Sequence, residues 1–154
     1  MRSLPIEENL KRQISATIQE SGKMRLMLLL LTQAALAIFL FGDVIANLMY
    51  RAEHYIHEYV RIGVIILCSI NVIWFFASSI AMCCTFYNCV TCLKIHFYFS
   101  LTIVAMHSTK LIILLIDSNI STIITSLFIN TVNGFTIYYE NKFISYLERC
   151  LRSL

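Results

Sequence analysis

The segment from His96 to Asp117 constrains the fold more than any other part of the sequence. Its core, Phe97 to Ile116, is a mostly apolar run of 20 residues. A helix that rises about 1.5 Å per residue needs roughly 20 residues to cross about 30 Å of hydrocarbon, so this run is long enough to span a bilayer. Five polar residues recur along it at helical spacing, interrupted by Ile103 and Leu114: His96, Ser100, His107, Lys110 and Asp117. Because a polar stripe is costly in lipid, we expect it to face other helices or a water-filled cleft.

The composition places the chain in the membrane class. Apolar residues make up 58% of the 154 residues and the mean hydropathy is +0.74, whereas soluble domains contain about 45 to 50% apolar residues. The net charge of +3 is modest and its basic residues are scattered, so nucleic-acid binding is not predicted. The length allows one helical domain.

We predict an all-α, membrane-embedded four-helix bundle in up-down-up-down order, because four apolar runs with short connections force antiparallel neighbours. The predicted bundle covers residues 23–140. Its spans are placed at about 24–49, 62–86, 97–116 and 120–139. For residues 1–22 the sequence predicts an amphipathic cytoplasmic helix that ends near Gly22. Residues 141–154 are expected to form a basic cytoplasmic tail.

The distribution of basic residues predicts that both termini are cytoplasmic, in the plasma membrane or an endomembrane. With the amino terminus inside, the outer turns hold Arg51 and Arg61, and Lys110 lies within the membrane. The inner segments hold the remainder: Arg2, Lys11, Arg12, Lys23, Arg25, Lys94, Lys142, Arg149 and Arg152.

Asp43 and Lys110 are candidates for an intramembrane ion pair. Counted from Arg25 and Lys94 at about 1.5 Å per residue, the two lie at similar heights, about 27 Å and about 24 Å above the inner face. An unpaired charge in hydrocarbon is expensive, which favours pairing. The alternative is that Lys110 extends to the outer headgroups and Asp43 marks the end of the first span.

Polar residues of the other spans reach the depth of His107. Asn71 lies in the second span and Asn130 in the fourth, where it belongs to a helical series with Thr122, Ser126 and Asn133. Together with Gln33 they could line a proton or ion path, with His107 titrating near neutrality. The interpretation we favour is hydrogen bonding between helices, worth about 0.6 to 2 kcal/mol per contact.

The cysteines cluster around the turn between the second and third spans. Cytoplasmic thiols stay reduced, so their position beside the membrane indicates reversible palmitoylation of Cys83, Cys84, Cys89, Cys92 and, in the tail, Cys150. Zinc is the second interpretation, because Cys89-x-x-Cys92 followed by His96 has ligand-like spacing. Inert buried thiols are the third. We predict no metal and no cofactor.

The first outer turn is rich in charge and tyrosine. Glu53 with His57, and His54 with Glu58, are spaced for pairing on one helical turn. A metal bound by the two histidines is the alternative, but a catalytic site would need a third ligand and an open position.

The predicted topology resembles that of claudins, tetraspanins and MARVEL-type proteins, and the resemblance does not extend to their motifs. The first outer turn is short and cysteine-free, unlike the long claudin loop, and Cys83-Cys84 is followed by Thr85 where tetraspanins have glycine, on the other side of the membrane. No residue roles are carried over.

The sequence predicts a non-enzymatic protein with no catalytic residues. We expect it to act as an accessory, scaffold or assembly partner of other integral membrane proteins or of itself, within the lipid bilayer. The alternative is a subunit of an oligomeric ion or proton channel or transporter that uses the polar stripe of the third helix.

Overall fold

The structure is a computed structural model that describes residues 5–50, 58–117 and 120–152, with side chains at 17, 19–46, 48–49, 62–109, 120 and 123–152. These residues form four helices, α1 (Pro5–Tyr50), α2 (Glu58–Phe86), α3 (Val90–Asp117) and α4 (Ile120–Arg152). Pro5 opens α1, where its missing N–H group is not needed for helix hydrogen bonds. The absence of further prolines from the sequence leaves the helix interiors unbroken.

The four helices pack as an antiparallel bundle, which confirms the predicted fold class. Each helix contacts two neighbours: α1 packs against α2 and α4, and α3 packs against α4 and α2. The pairs α1–α2 and α3–α4 make the most extensive contacts. Across the described residues, α1 and α3 lie diagonally opposite each other.

Two predicted helix ends are corrected by the structure. Helix α1 continues through Gly22 without a break, since a glycine inside a helix costs only about 1 kcal/mol relative to alanine. Helix α4 continues to Arg152, so the expected tail is helical over most of its length. The reason is that Phe143, Ile144 and Leu147 extend the buried face of α4 beyond the predicted span.

A tight turn joins α2 to α3. Asn88 has a positive φ of 56°, a conformation that asparagine tolerates better than most residues. The N–H of Cys89 donates to the carbonyl of Cys84 at 2.8 Å, and the N–H of Asn88 to the carbonyl of Thr85 at 3.4 Å. This is a Schellman motif with Asn88 in the left-handed position. It ends α2 and places Cys89 directly before α3.

Three of the described helices are long and apolar enough to cross a membrane: Gln19–Ala46, Ile62–Phe86 and Val90–Thr109. Exposed hydroxyl groups on the outer faces bond to the carbonyl four residues earlier in their own helix, as in Ser69 to Ile65, Thr102 to Tyr98 and Thr131 to Leu127. Such bonds satisfy a hydroxyl without water. These features support a membrane protein.

The bundle interior contains two apolar clusters with polar side chains between them. One lies at the end of the bundle that holds the α2–α3 turn, hereafter the turn end, and includes Leu26, Leu30 and Leu93. The other lies toward the opposite end and is built around Trp74 and Ile103. The polar side chains between the two clusters form part of the candidate site.

Candidate functional site in the bundle interior and at the turn end

The bundle buries a column of polar side chains. Those described as buried are Gln33, Asn71, Ser78, Thr85, His96, Ser100, His107, Ser126, Asn133, Thr136 and Glu140. Buried polar groups are costly unless they are hydrogen-bonded, so their arrangement determines what the interior can do.

The centre of the column is a neutral hydrogen-bonded cluster from three helices. The side-chain amide of Gln33 on α1 donates to Oδ1 of Asn133 on α4 at 2.5 Å. The hydroxyl of Ser78 on α2 donates to Oε1 of Gln33 at a longer 3.5 Å. All three side chains are fully buried. We call these three residues the amide cluster; it ties α1, α2 and α4 together without charge.

An acid and a base meet nearer the turn end. Nδ1 of His96 on α3 lies 2.9 Å from Oε1 of Glu140 on α4. Exposure is 4% for His96 and 0% for Glu140. Ser100 lies 3.5 Å from the same imidazole nitrogen. Nε2 of His96 and Oε2 of Glu140 have no hydrogen-bond partner within the described part of the chain. We call His96 and Glu140 the buried pair.

The predicted stripe on α3 faces inward where the structure describes it. His96, Ser100 and His107 are buried, as predicted, and Ile103 is buried on the same face. The side chains of Lys110 and Asp117 lie outside the described residues.

Asn71 and His107 occupy the half of the interior away from the turn end. Asn71 is 2% exposed and His107 is 7% exposed. The His107 ring lies 6.0 Å from the Trp74 ring, centroid to centroid. Asn130 is half-buried, and the side chain of Thr122 lies outside the described residues. Asn71 and His107 therefore both lie in the bundle interior, as Gln33 does. The hydrogen-bonded amide cluster, however, is formed by Gln33, Ser78 and Asn133.

The Asp43–Lys110 ion pair stays a prediction, because the side chain of Lys110 is outside the described residues. Asp43 lies on the exposed side of α1. The predicted pairing of His54 and His57 with Glu58 and Glu53 also falls outside the described side chains.

Sequence reasoning missed Glu140. The signal was present, because Glu140 follows Asn133 by seven residues, or about two helical turns, and thereby extends the polar face of α4. Ending the predicted fourth span at Tyr139 left out Glu140, the residue that pairs with His96.

The clustered cysteines differ in their exposure to solvent. Cys83 is exposed, Cys84 is buried, and Cys89 and Cys92 are half-buried. The sulfur atoms of Cys84, Cys89 and Cys92 lie within 4.8 Å of one another. We call these three residues the thiol cluster.

The pKa of Cys89 lies below its usual value of 9.0, chiefly because the backbone N–H of Cys92 bonds to its sulfur. Cys150 is half-buried, and all these thiols are free of disulfides.

Charged and polar contacts surround the turn end. Nζ of Lys23 donates to the carbonyl of Phe86 at 2.8 Å and lies over its ring, which suits a cation at a helix carboxyl terminus. Lys94 pairs with Glu148 at 2.6 Å. The Lys94 ammonium holds the pKa of Glu148 below its usual value.

A groove of about 370 Å³ opens between α1 and α4 at the turn end. Arg25 and Lys142 lie beside aromatic side chains in its wall, including Tyr139 and Tyr146. The Tyr146 hydroxyl donates to Oε1 of Gln19 at 3.0 Å and links the two helices. Basic and tyrosine side chains together are typical of the headgroup region of a bilayer.

Comparison with known proteins identifies no relative: no family model, no curated protein and no solved structure matches the chain.

Proposed function

We propose that this chain is a multi-pass membrane protein that acts without catalysis, by lateral association with other integral membrane proteins. The observation that carries the proposal is the separation of its surfaces. The polar side chains of the amide cluster bond to one another inside the bundle, and the outer faces present large apolar side chains such as Phe76 and Phe135. Contacts with other molecules at membrane depth are therefore apolar and lateral.

The short connections between helices support the same proposal. Seven residues separate α1 from α2, three separate α2 from α3, and two separate α3 from α4. Connections this short provide little surface for a soluble substrate or ligand. The buried pair, which would be the obvious acid and base for catalysis, is enclosed by α3 and α4.

The groove between α1 and α4 supports the proposed orientation. Arg25 and Lys142 would meet anionic headgroups of the cytoplasmic leaflet, with both termini on that side and α4 as the fourth span. Reversible palmitoylation remains a proposal for the exposed Cys83 and for Cys150.

Site-specific photo-crosslinking in native membranes tests the association. We would replace Phe76, on the outer face of α2, or Phe135, on the outer face of α4, with a benzoyl-phenylalanine. The matched control is the same replacement at the buried Phe143. We expect one outer position to give a single protein adduct that co-purifies at fixed stoichiometry in mild detergent. Lipid adducts alone at both outer positions would contradict the proposal.

The second candidate function is a subunit of an oligomeric ion or proton channel. The buried polar column favours it, because Asn71, His107 and Ser126 continue the polar interior away from the turn end. Proteoliposomes loaded with a pH-sensitive dye distinguish the two functions. Proton or ion flux that is lost on replacing His107 with leucine would support the channel, and a symmetric homo-oligomer would be its expected state. Absence of flux would leave lateral association.

A further inference from the structure

Three cysteines converge where α2 turns into α3. The Schellman motif ends α2 with Cys84 in its last turn, places Cys89 directly before α3, and leaves Cys92 in the first turn of α3. Their sulfur atoms all lie within 4.8 Å of one another. The convergence depends on the left-handed backbone at Asn88, which reverses the chain within three residues.

We propose that the thiol cluster of Cys84, Cys89 and Cys92 binds a thiophilic d10 metal ion, Cu(I) or Zn(II), through three thiolates. A metal about 2.3 Å from each sulfur holds three sulfur atoms about 4 Å apart, so the observed cluster needs to contract only slightly. Soft thiolate ligands select Cu(I) and Zn(II) over hard cations. On binding, the three thiols form sulfur–metal bonds and release their protons to solvent.

Within the described part of the chain, three protein ligands converge at this site. His96, which completes the zinc-like spacing of the sequence, directs Nδ1 to Glu140 at 2.9 Å, and it is outside the group of converging ligand atoms. Cys83 is exposed and also outside that group. Three thiolates satisfy Cu(I) on their own. Zn(II) would add a water or another external ligand, because it prefers four ligands.

The same geometry separates metal binding from lipidation. Cys84 is buried and the sulfur atoms of Cys89 and Cys92 lie toward it, whereas acylation requires a thiol that an acyl chain can reach. Cys83 meets that requirement. Cys83 therefore provides a control next in sequence to a proposed ligand.

Metal titration of the purified full-length chain in detergent tests the proposal. The protein is kept reduced and free of oxygen. Cu(I) is presented in competition with a chromogenic chelator, and Co(II) is used as the spectroscopic substitute for Zn(II), read from its sulfur-to-cobalt absorption band. We expect one ion per chain. Replacing Cys84, Cys89 or Cys92 with serine should weaken binding about tenfold or more, whereas Cys83→Ser and Cys68→Ser should leave it within about twofold.

A labelling experiment on the wild-type chain covers the case in which a serine variant does not fold. Bound Cu(I) or Zn(II) should slow alkylation at the thiol cluster and leave Cys83 unchanged, as mapped by mass spectrometry. Binding by Cu(I) but not Co(II) would assign the site to copper, and the reverse to zinc; either supports the proposal. Binding of neither ion, or protection of Cys83 equal to that of the thiol cluster, would overturn it.

Discussion

The amide cluster and the buried pair show two ways to bury polar groups in one bundle. Gln33, Ser78 and Asn133 are neutral and join three helices. His96 and Glu140 can both ionise and join only α3 to α4. Glu140 lies about 10 Å further along α4 than Asn133, toward the turn end, at seven residues and about 1.5 Å each. The neutral amide cluster thus lies in the middle of the bundle, and the buried pair lies closer to the turn end, where Lys94 pairs with Glu148.

The difference between neutral and ionisable groups predicts a difference in cost when one partner is removed. Breaking a buried acid–base contact by truncation costs more than unmaking a neutral hydrogen bond, and the truncated side chain also leaves a cavity. Substitutions in the bundle test this difference, and they follow in order of decreasing expected cost.

The largest effect is expected for Glu140→Ala. It leaves His96 without its acidic partner and creates a cavity between α3 and α4, at a cost of about 3 to 5 kcal/mol. Reversible unfolding of the detergent-solubilised protein, followed by circular dichroism, measures the free energy. Glu140→Gln is the matched control, because its side chain has the same shape and can still bond to the imidazole. A cost equal to that of Gln33→Leu would contradict the ranking.

A smaller effect is expected for Gln33→Leu. The substitution keeps a large side chain and removes the bonds to Asn133 and Ser78, at a cost of about 1 to 2 kcal/mol. The same unfolding measurement applies. In the double variant Gln33→Leu, Asn133→Leu, part of the loss should be recovered, because no buried amide is left unpaired. Simple additivity of the two single effects would show that the two residues do not act as a unit.

The exposed Lys94–Glu148 pair predicts a smaller, pH-dependent effect. The pKa of Glu148 is lowered by Lys94 in the folded state, so the pair stabilises the fold above the unfolded pKa and loses this contribution as the pH falls through the folded pKa. Glu148→Gln should therefore be less stable than the wild type at neutral pH and equal to it in strong acid. Thermal unfolding of both proteins from neutral to acidic pH measures the difference, and parallel curves would contradict it.

The smallest effect is expected for Thr131→Val on the outer face of α4. The hydroxyl bonds to the Leu127 carbonyl of its own helix, so removing it should change the unfolding free energy by less than about 0.5 kcal/mol. Thr131→Asn, with an amide that the helix cannot satisfy, is the contrasting variant and should destabilise the protein in lipid. Equal behaviour of the two would mean that water covers this face.

Helix number, order and inward faces followed from the sequence because they depend on local rules. Apolar runs set the helices, short connections set the antiparallel order, and helical spacing placed His96, Ser100 and His107 on one inward side. The hydrogen-bond partners of these side chains could not be predicted, because they depend on which helices are neighbours. With α1 beside α4, Gln33 meets Asn133. The spacing of the polar residues alone does not give that adjacency.

The thiol cluster shows the same limit at shorter range. In the zinc interpretation of the sequence, the spacing Cys89-x-x-Cys92 indicated His96 as the next ligand. The structure selects Cys84 instead, since the α2–α3 turn folds the end of one helix back beside the start of the next. A tight turn can thus replace a downstream residue with an upstream one, which periodicity within a single helix does not reveal.

The continuity of α1 has a mechanical consequence. A helix of 46 residues is about 69 Å long, more than twice the thickness of a hydrocarbon core. Because α1 runs through Gly22 without a break, a force applied to its amino-terminal end would act along one continuous helix. Among the described bonds, Gln19–Tyr146 and Lys23–Phe86 join this helix to the turn end, so the force would be transmitted to the region that holds the thiols and the buried acid.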